Sequence, residues 1–577
     1  MDRQISSNDD LQGNNGEQDS KDDNDSDSVA SVDTNGVRQR FYHMYDFDED
    51  VLEDLKDNIS EVDSMIIGNH NNCNPLSIDW AREVCALSKN THLKCVEISY
   101  QTNKRDNYAE RNAKALYKAL SGIRSIKYLS ITGYLVRGMD MGRVFSYLTP
   151  CFQNNLCSLI VSDITLDSRT MQLLSSAMEK CNQNLKHFGL NHCEGMNGEV
   201  MSTIVNILPA NPQIEEIELQ GYDMDEEAVV LGSALCSTVS LKKLSLRGDL
   251  ERDTIASISI RGMESISKCL AESNSLEELD LRYNNTGVEG GIALAEALLD
   301  NSQLKVLDIH ASVSPYGEEW IMSADGWRYF FESMQNCGLQ KLCLGGNTIS
   351  DEEVAIMVEA LNTMDALTDL NLLQSCRITS SGWVQFFNLL RSPGSVFEKL
   401  THLNIVNMSD EENQLNDEGV TAFAKALIGN TSLQGCATYN FKEVTLEGGW
   451  AALSHTLCDK SSIENICNSN HTLEKLGMGK ICNGVPDCIN SLLEINRSVN
   501  KAAVARQKIF RYYYADGKHL NEIANLDVEV LPRVLARIGE DAIGIGLFYQ
   551  VVRIIPALFE TTGKVSVGGK RKRGTKQ

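Results

Sequence analysis

Apolar residues recur along the chain in one short pattern that returns about every thirty residues. In the segment Leu276-Glu-Glu-Leu279-Asp-Leu281-Arg-Tyr-Asn284, leucine occupies the first, fourth and sixth places and asparagine the ninth. The segment 339–347 has the same form, and conservative apolar exchanges give eleven further copies, with successive starts 27 to 35 residues apart. Those eleven copies start at Leu93, Ile126, Leu156, Leu185, Ile214, Leu241, Leu304, Leu367, Leu400, Leu433 and Ile463. Thirteen copies in one register indicate an internal repeat array.

Each copy predicts one strand, one turn and one helix. Alternating apolar positions place the leucines on one side of an extended segment, as at 278–282 and 341–345. Amphipathic helices are expected to follow, for example at 290–299 and 351–361. One unit cannot bury its apolar face alone, so neighbouring units must stack and their strands form one parallel sheet. Because helices are about 10 Å wide and strands about 4.8 Å apart, the stack should curve with its strands on the inner face.

These motifs give residues from about 62 to 495 a resemblance to the ribonuclease-inhibitor class of leucine-rich repeat proteins. A degenerate copy with Val62, Met65 and Ile67 precedes the thirteen. The resemblance implies an α/β solenoid, or horseshoe, with parallel strands on the concave side and helices on the convex side. It also implies that the turn residues Cys193, Asn284 and Asn347 hydrogen-bond to the backbone of adjacent turns. The class includes inhibitors, GTPase activators and immune-receptor sensors, so it names no single function.

The two ends of the chain differ from the repeats. Residues 1–40 carry ten acids and four bases with few large apolar side chains, which predicts a disordered acidic tail. Residues 41–92 are expected to form an N-terminal cap and the degenerate first repeat, and 93–495 about thirteen repeats. An open solenoid end exposes apolar core, so 496–560 are expected to form a helical C-terminal cap, followed by a flexible basic tail at 561–577.

Net charge and the pattern of cysteines restrict the expected cellular location and the expected classes of partner. The net charge of −26 argues against binding of nucleic acid through the repeat body and against binding to anionic membranes. No secretory signal opens the sequence, and seventeen cysteines lie without a CxxC pair, so we expect reduced thiols in an intracellular, cytoplasmic protein. The apolar segment 542–559 is interrupted by Gln550, Arg553 and Pro556 and is not expected to span a membrane. In the tail, Lys570, Arg571, Lys572 and Arg573 are a candidate nuclear import signal, or simply solvated charge.

Catalytic and cofactor motifs are missing from the sequence. It contains no GxxxxGK[ST], GxSxG or HExxH segment, and we expect no cofactor and no metal. Cys193 and the nearby His187 and His192 fit packing and surface roles better than a metal or nucleophile site. The one enzyme-like alternative is a GTPase activator of the Ran type, in which Arg105 of the loop Asn103-Lys104-Arg105 would act as an arginine finger. We expect a protein-binding scaffold or regulator instead.

The inner face is where binding of a protein is expected, because successive strands present one continuous surface. Polar residues at the third, fifth and seventh places of the middle repeats mix both signs and lean acidic, which suits a partner with a basic patch. They could equally be ordinary exposed polar residues. Reversing Glu278 and Asp280 to lysine should leave the fold intact, because both side chains point away from the leucine core. The predicted binding residues are Glu216, Glu218, Lys243, Arg247, Glu278, Asp280, Arg282, Asp308, His310 and Asp369.

Overall fold

The computed structural model describes residues 45–46, 63–67, 89–98 and most of 107–514, with single positions at 519, 536, 549 and 553. The predicted tails at 1–40 and 561–577, the loop with Arg105, and most of the regions 41–92 and 515–560 lie outside the described residues. Gaps within 107–514 fall at 134–139, 180–183, 223, 225, 237, 249–257, 285–286, 312–322, 336, 348, 376, 406–414, 439–440, 442–443 and 478–483.

Fifteen strands pair in sequence order in one sheet, and every neighbouring pair is parallel. This confirms the predicted parallel sheet. The strands are β1 (Tyr45–Asp46), β2 (Ser64–Ile67), β3 (Cys95–Ile98), β4 (Tyr128–Thr132), β5 (Ser158–Ser162), β6 (His187–Asn191), β7 (Glu216–Gln220), β8 (Lys243–Arg247), β9 (Glu278–Asp280), β10 (Val306–Asp308), β11 (Lys341–Cys343), β12 (Asp369–Asn371), β13 (His402–Asn404), β14 (Gly435–Ala437) and β15 (Lys475–Leu476).

Helices connect the strands, and from Asn107–Gly122 to Gly449–Leu457 each packs on the next in chain order, which gives the α/β leucine-rich repeat solenoid. The predicted helices at 290–299 and 351–361 are present as Gly287–Asp300 and Asp351–Asn362. The helices are α1 (Asn107–Gly122), α2 (Met141–Asn154), α3 (Ser168–Met178), α4 (Gly198–Ala210), α5 (Glu226–Leu235), α6 (Ile260–Glu272), α7 (Gly287–Asp300), α8 (Ala324–Ser333), α9 (Asp351–Asn362), α10 (Ser380–Leu390), α11 (Asp417–Ala426), α12 (Gly449–Leu457), α13 (Ile463–Cys467), α14 (Asp487–Asn496) and α15 (Lys501–Lys508).

The core lies between the sheet and the helices and is filled by the leucines of the repeated pattern. Leu276, Leu279 and Leu281 are at most 2% exposed. Two helices add the same aromatic motif, W-x-x-F-F, whose six side chains are all buried and contact one another within each helix. Because such a core is shared by adjacent repeats, each unit is stabilised by its neighbours rather than by itself.

Hydrogen bonds from the turn residues hold consecutive repeats together. The side-chain nitrogen of Asn284 donates to the carbonyl oxygens of Leu246 at 2.6 Å and Leu281 at 2.9 Å. Asn347 makes the corresponding bonds at 3.0 and 2.8 Å. The Cys193 thiol donates to the carbonyl oxygens of Val161 in the preceding repeat at 3.6 Å and of Asn191 at 3.4 Å. The role implied for these three residues is confirmed.

The repeat frame proposed at Ile463 is wrong. That segment forms helix α13, and the last strand, β15, belongs to a frame that starts at Leu473. Asn470, three residues before Leu473, accepts a hydrogen bond from its backbone N–H at 3.0 Å. Asn430 does the same for Leu433 at 2.9 Å. An asparagine three places before the first leucine was therefore the sequence signal for the correct register.

The last described strand is followed by α14, α15 and a π-helical turn at Ile509–Tyr513. Of these, α15 and the π-helical turn fall within 496–560, the region expected to form a helical C-terminal cap, and the cap as a whole stays a prediction. Lys508 lies fully buried and donates hydrogen bonds to the carbonyl oxygens of Leu457 at 2.6 Å and Asn470 at 2.8 Å. Its third neighbour is Nδ1 of His471 at 3.1 Å. Burial lowers the pKa of Lys508 to about 7, because removal from water disfavours the charged ammonium.

Candidate functional site

Three rows of side chains cover the inner face of the sheet. The first row contains the third place of each repeat pattern, the middle row the fifth place and the third row the seventh. Strand register aligns these places, so that Glu216, Lys243 and Glu278 are neighbours in the first row. All ten residues predicted for this face lie in the three rows. They are Glu216, Lys243, Glu278 and Asp369 in the first, Glu218, Asp280 and Asp308 in the middle, and Arg247, Arg282 and His310 in the third.

Asp280 is the centre of the charged cluster. Its carboxylate accepts hydrogen bonds from Nε of Arg247 at 2.6 Å and from Nε and Nη2 of Arg282 at 3.0 and 2.8 Å. The backbone N–H of Arg282 adds a fourth at 3.2 Å. Burial opposes ionisation, but the hydrogen bonds and charges of the two arginines hold the pKa of Asp280 below its usual value. The carboxylate is therefore charged and fully paired at neutral pH.

Asp308 shares Arg282 with Asp280 and has fewer hydrogen-bonding and ionic contacts than Asp280 does. Its Oδ2 lies 3.4 Å from Nε of Arg282, and its Oδ1 accepts the backbone N–H of His310 at 3.1 Å. Burial and the adjacent charge of Asp280 raise the pKa of Asp308 to about 6. Burial, followed by the charge of Arg282, lowers the pKa of His310 to about 4, so this histidine is neutral at pH 7.

Ion pairs within the inner face contradict the expectation that reversing Asp280 to lysine would leave the fold intact. Reversal of Asp280 to lysine is not a neutral surface change, since Asp280 is only 7% exposed and lies between two guanidinium groups. A lysine there would place a third cation beside them. Glu278 lies further out and pairs with Lys243 at 3.6 Å. The acidic character of the middle repeats is thus partly neutralised by their own cations.

One arrangement on neighbouring strands has the residue types of a nucleophilic triad. Ser158 Oγ lies 3.1 Å from Nδ1 of His187, whose Nε2 lies 3.8 Å from the Glu218 carboxylate. The backbone N–H groups of Ser158 and His187 donate to the carbonyl oxygens of Lys127 at 2.9 Å and Cys157 at 3.0 Å, so neither is available to stabilise an oxyanion. Ser158 is also only 6% exposed. The geometry favours a packing role for these residues.

The sequence interpretation missed a charged ladder along the rim where the strands begin. It uses the second place of the pattern. Glu215 is bound by Lys186 at 2.6 Å and Lys242 at 2.8 Å, and Glu277 by Lys305 at 2.6 Å. Beside the ladder lies an open groove of about 600 Å³. The alternation of sign at the second place in five successive repeats was the available sequence signal.

Towards the C-terminal end, the first row continues with Asp369 and His402, whose side chains lie 3.2 Å apart. The hydrogen bond to Asp369 raises the pKa of His402. No group of three or more His, Cys, Asp or Glu residues suited to a metal ion occurs in the described part of the chain. Among the same residues, no helix is both long enough and apolar enough to cross a bilayer.

Comparisons with known proteins point to one family. A Leucine Rich repeat family profile matches residues 272–295. Ribonuclease inhibitor from Mus musculus is 22% identical over 366 residues, covering 62% of this chain and 71% of the relative. Ribonuclease inhibitor from Sus scrofa is 24% identical over 361 residues, covering 62% and 70%.

Two further proteins are similar to this chain, one in sequence and one in structure. Human NACHT, LRR and PYD domains-containing protein 5 is 25% identical over 354 residues, covering 59% of this chain and only 26% of that protein. In the solved yeast complex of Rad7 and Elc1, one chain aligns over 67% of this chain and 80% of its own length, with 17% identity and a TM-score of 0.39. The repeat pattern, the solenoid and the relatives agree: the chain is a leucine-rich repeat protein, and its repeats are ribonuclease-inhibitor-like.

Proposed function

We propose that this protein binds a protein partner across the inner face of strands β7–β12 and acts as a non-enzymatic scaffold or regulator. The observation that carries the proposal is the alignment of ten polar side chains in three rows on one continuous surface. Leucine-rich repeat proteins generally use this extended surface for recognition. The relatives support the same class of function, since the mouse and pig proteins are named as inhibitors of ribonuclease.

The partner should carry a basic patch that faces the first and middle rows. Glu216 in the first row is half-buried; among the described residues its charge acts on Lys242 of the rim, but no salt bridge joins the two side chains. Asp308 shares Arg282 with Asp280, and Asp369 is 38% exposed. A lysine or arginine of the partner would pair with these acids. Lys243 and the arginines restrict the partner to a matching pattern of charges rather than to any polycation.

The same proposal covers activity and location. The polar rows of the inner face support binding of a partner, and we propose that the protein acts without catalysis. No observation favours the Ran-type GTPase activator, whose candidate Arg105 lies outside the described residues. We propose an intracellular location because the cysteines that the structure describes are free thiols and most of them are buried. The cluster Lys570, Arg571, Lys572 and Arg573 remains a proposed nuclear import signal.

A matched pair of charge reversals tests the binding face. Glu216→Lys changes the first row, and Glu264→Lys makes the same change at an exposed position on the convex helix α6. Proteins captured from cell lysate by each variant and by the wild type are compared by quantitative mass spectrometry. The proposal expects at least one protein whose capture falls about tenfold with Glu216→Lys and is unchanged with Glu264→Lys. Equal effects of the two reversals would contradict it.

A further inference from the structure

Two arginines stand side by side in the third row and are held by one carboxylate. Arg247 on β8 and Arg282, two residues beyond the end of β9, are register neighbours, because the backbone N–H of Gly248 donates to the carbonyl oxygen of Arg282. Adjacent strands are about 4.8 Å apart. Asp280, in the middle row, binds Nε of both. We call Arg247 and Arg282 the arginine pair.

Among the described residues, most of the N–H donors of the arginine pair have no acceptor. Arg247 donates to Asp280 from Nε alone, and neither of its terminal nitrogens donates to another residue in the described ranges. Arg282 uses Nε and Nη2, while its Nη1 has no acceptor among the same residues. The two side chains are 26% and 28% exposed, so these unused N–H groups have access to the concave space.

No acid lies in the third row near the pair. From β6 to β11 this row consists of Asn191, Gln220, Arg247, Arg282, His310 and Gly345. Among the residues that the structure describes, the acids of the inner face lie in the first and middle rows, where Asp280 and Asp308 occupy adjacent strands. The first and middle rows therefore carry the acids of the inner face, whereas the third row offers N–H donors.

We propose that the arginine pair binds a carboxylate of the protein partner, from an aspartate or glutamate in the segment that crosses the third row. Planar guanidinium groups match the two oxygens of a carboxylate. Asp280 fixes the orientation of both side chains beforehand and so reduces the entropy lost on binding. The inference rests on the proposed function and adds to it: the partner needs an acidic group at the third row as well as a basic patch at the other rows.

Local charge favours a carboxylate over a phosphate. The positive charges of the arginine pair are offset by Asp280 and Asp308, and the whole chain carries −26. A group with a single negative charge is tolerated in such surroundings better than a phosphate, which carries nearly two. The same overall charge repels acidic peptides in general, so any acidic peptide that binds must be held by local contacts.

The test measures fluorescence anisotropy of a fluorescein-labelled tetraglutamate peptide with the full chain at physiological salt. Tetraglutamine and a phosphoserine tetrapeptide are the comparison probes. Tetraglutamate should bind at least about tenfold more tightly than tetraglutamine, because only the carboxylate can accept from the guanidinium groups. Tighter binding of the phosphoserine peptide than of tetraglutamate would overturn the choice of carboxylate, and equal binding of tetraglutamate and tetraglutamine would overturn the proposal.

Three variants locate the binding. Arg247→Gln should weaken tetraglutamate binding about tenfold, and Arg247→Lys nearly as much, since an ammonium cannot present a planar fork of donors. Lys305→Gln removes the same charge from the rim ladder, where the side chain is 46% exposed, and should change binding less than about twofold. Equal losses for Arg247→Gln and Lys305→Gln would refute the assignment. The proposed function fails separately, by the outcome for Glu216→Lys.

Discussion

Replacement of Asp280 by lysine should destabilise the middle of the solenoid although the side chain belongs to the inner face. The wild-type carboxylate accepts four hydrogen bonds from Arg247 and Arg282, at 2.6 to 3.2 Å. Removing one partner of a buried ion pair costs about 3–5 kcal/mol. The arginines keep about a quarter of their surface in water, which favours the lower end of that range. The inserted ammonium adds repulsion, which a long side chain can reduce by extending to solvent. We therefore expect a loss of about 3–4 kcal/mol in the free energy of unfolding.

Urea unfolding and hydrogen exchange together measure this loss. Repeat proteins can open locally, so exchange of the backbone N–H groups of β8, β9 and β10 reports the affected region directly. The control is Glu264→Lys, which makes the same charge change on the exposed face of α6 and should cost less than about 0.5 kcal/mol. If Asp280→Lys also costs less than about 1 kcal/mol, the cluster around Asp280 contributes little and the reasoning is wrong.

Three further predictions concern the repeat contacts, the cap and the tail. Asn284→Ala should cost about 2–3 kcal/mol in urea unfolding, because it leaves buried carbonyl oxygens without a donor. Asn184→Ala removes only an exposed side-chain hydrogen bond to Asn155 and should cost less than about 0.5 kcal/mol, and similar values for the two variants would contradict the turn contacts. For Lys508, the folded pKa of about 7 lies below the unfolded value, so the folded state binds fewer protons above pH 7 and stability should rise with pH. The free energy of unfolding should therefore increase from pH 7 to 8.5 in the wild type by more than in Lys508→Met, and equal slopes would show that Lys508 does not titrate there. A fluorescent fusion should lose nuclear enrichment when Lys570, Arg571, Lys572 and Arg573 are all replaced by alanine, and an unchanged distribution would leave the tail as solvated charge.

The repeat pattern was sufficient to predict strands, helices and the three rows, because each depends on local periodicity. Asp369 and Glu216 lie 153 positions apart in the chain, yet their common place in the pattern put them in one row. The same periodicity failed at Ile463, where a short helix has apolar spacing similar to that of a strand. Asn470 would have corrected it, because its side chain fixes the start of the pattern through hydrogen bonds.

Pairing between side chains could not be predicted in the same way. Asp280 pairs with both arginines, whereas Asp308 shares Arg282 with it. This difference depends on side-chain rotamers and on distances of a few tenths of an ångström between strands. Counting charges in the sequence predicted an acidic inner face. The ion pairs in the structure leave acids in the first and middle rows and, among the described residues, arginine N–H donors without an acceptor in the third row. The rim ladder was visible in the sequence as charges of alternating sign at the second place of five successive repeats. Which of these charges pair could be assigned only once the strand register was known.

Binding kinetics of the captured partner test the central claim most directly. The association rate with wild type, Glu216→Lys and Glu264→Lys is measured at two salt concentrations by surface plasmon resonance. A partner that docks on the inner face should associate about tenfold more slowly with Glu216→Lys, and the salt dependence of that rate should flatten, because clustered charges act chiefly on encounter. Glu264→Lys should behave as wild type. If the rate and its salt dependence are unchanged by Glu216→Lys, the partner does not bind the inner face and the account is wrong.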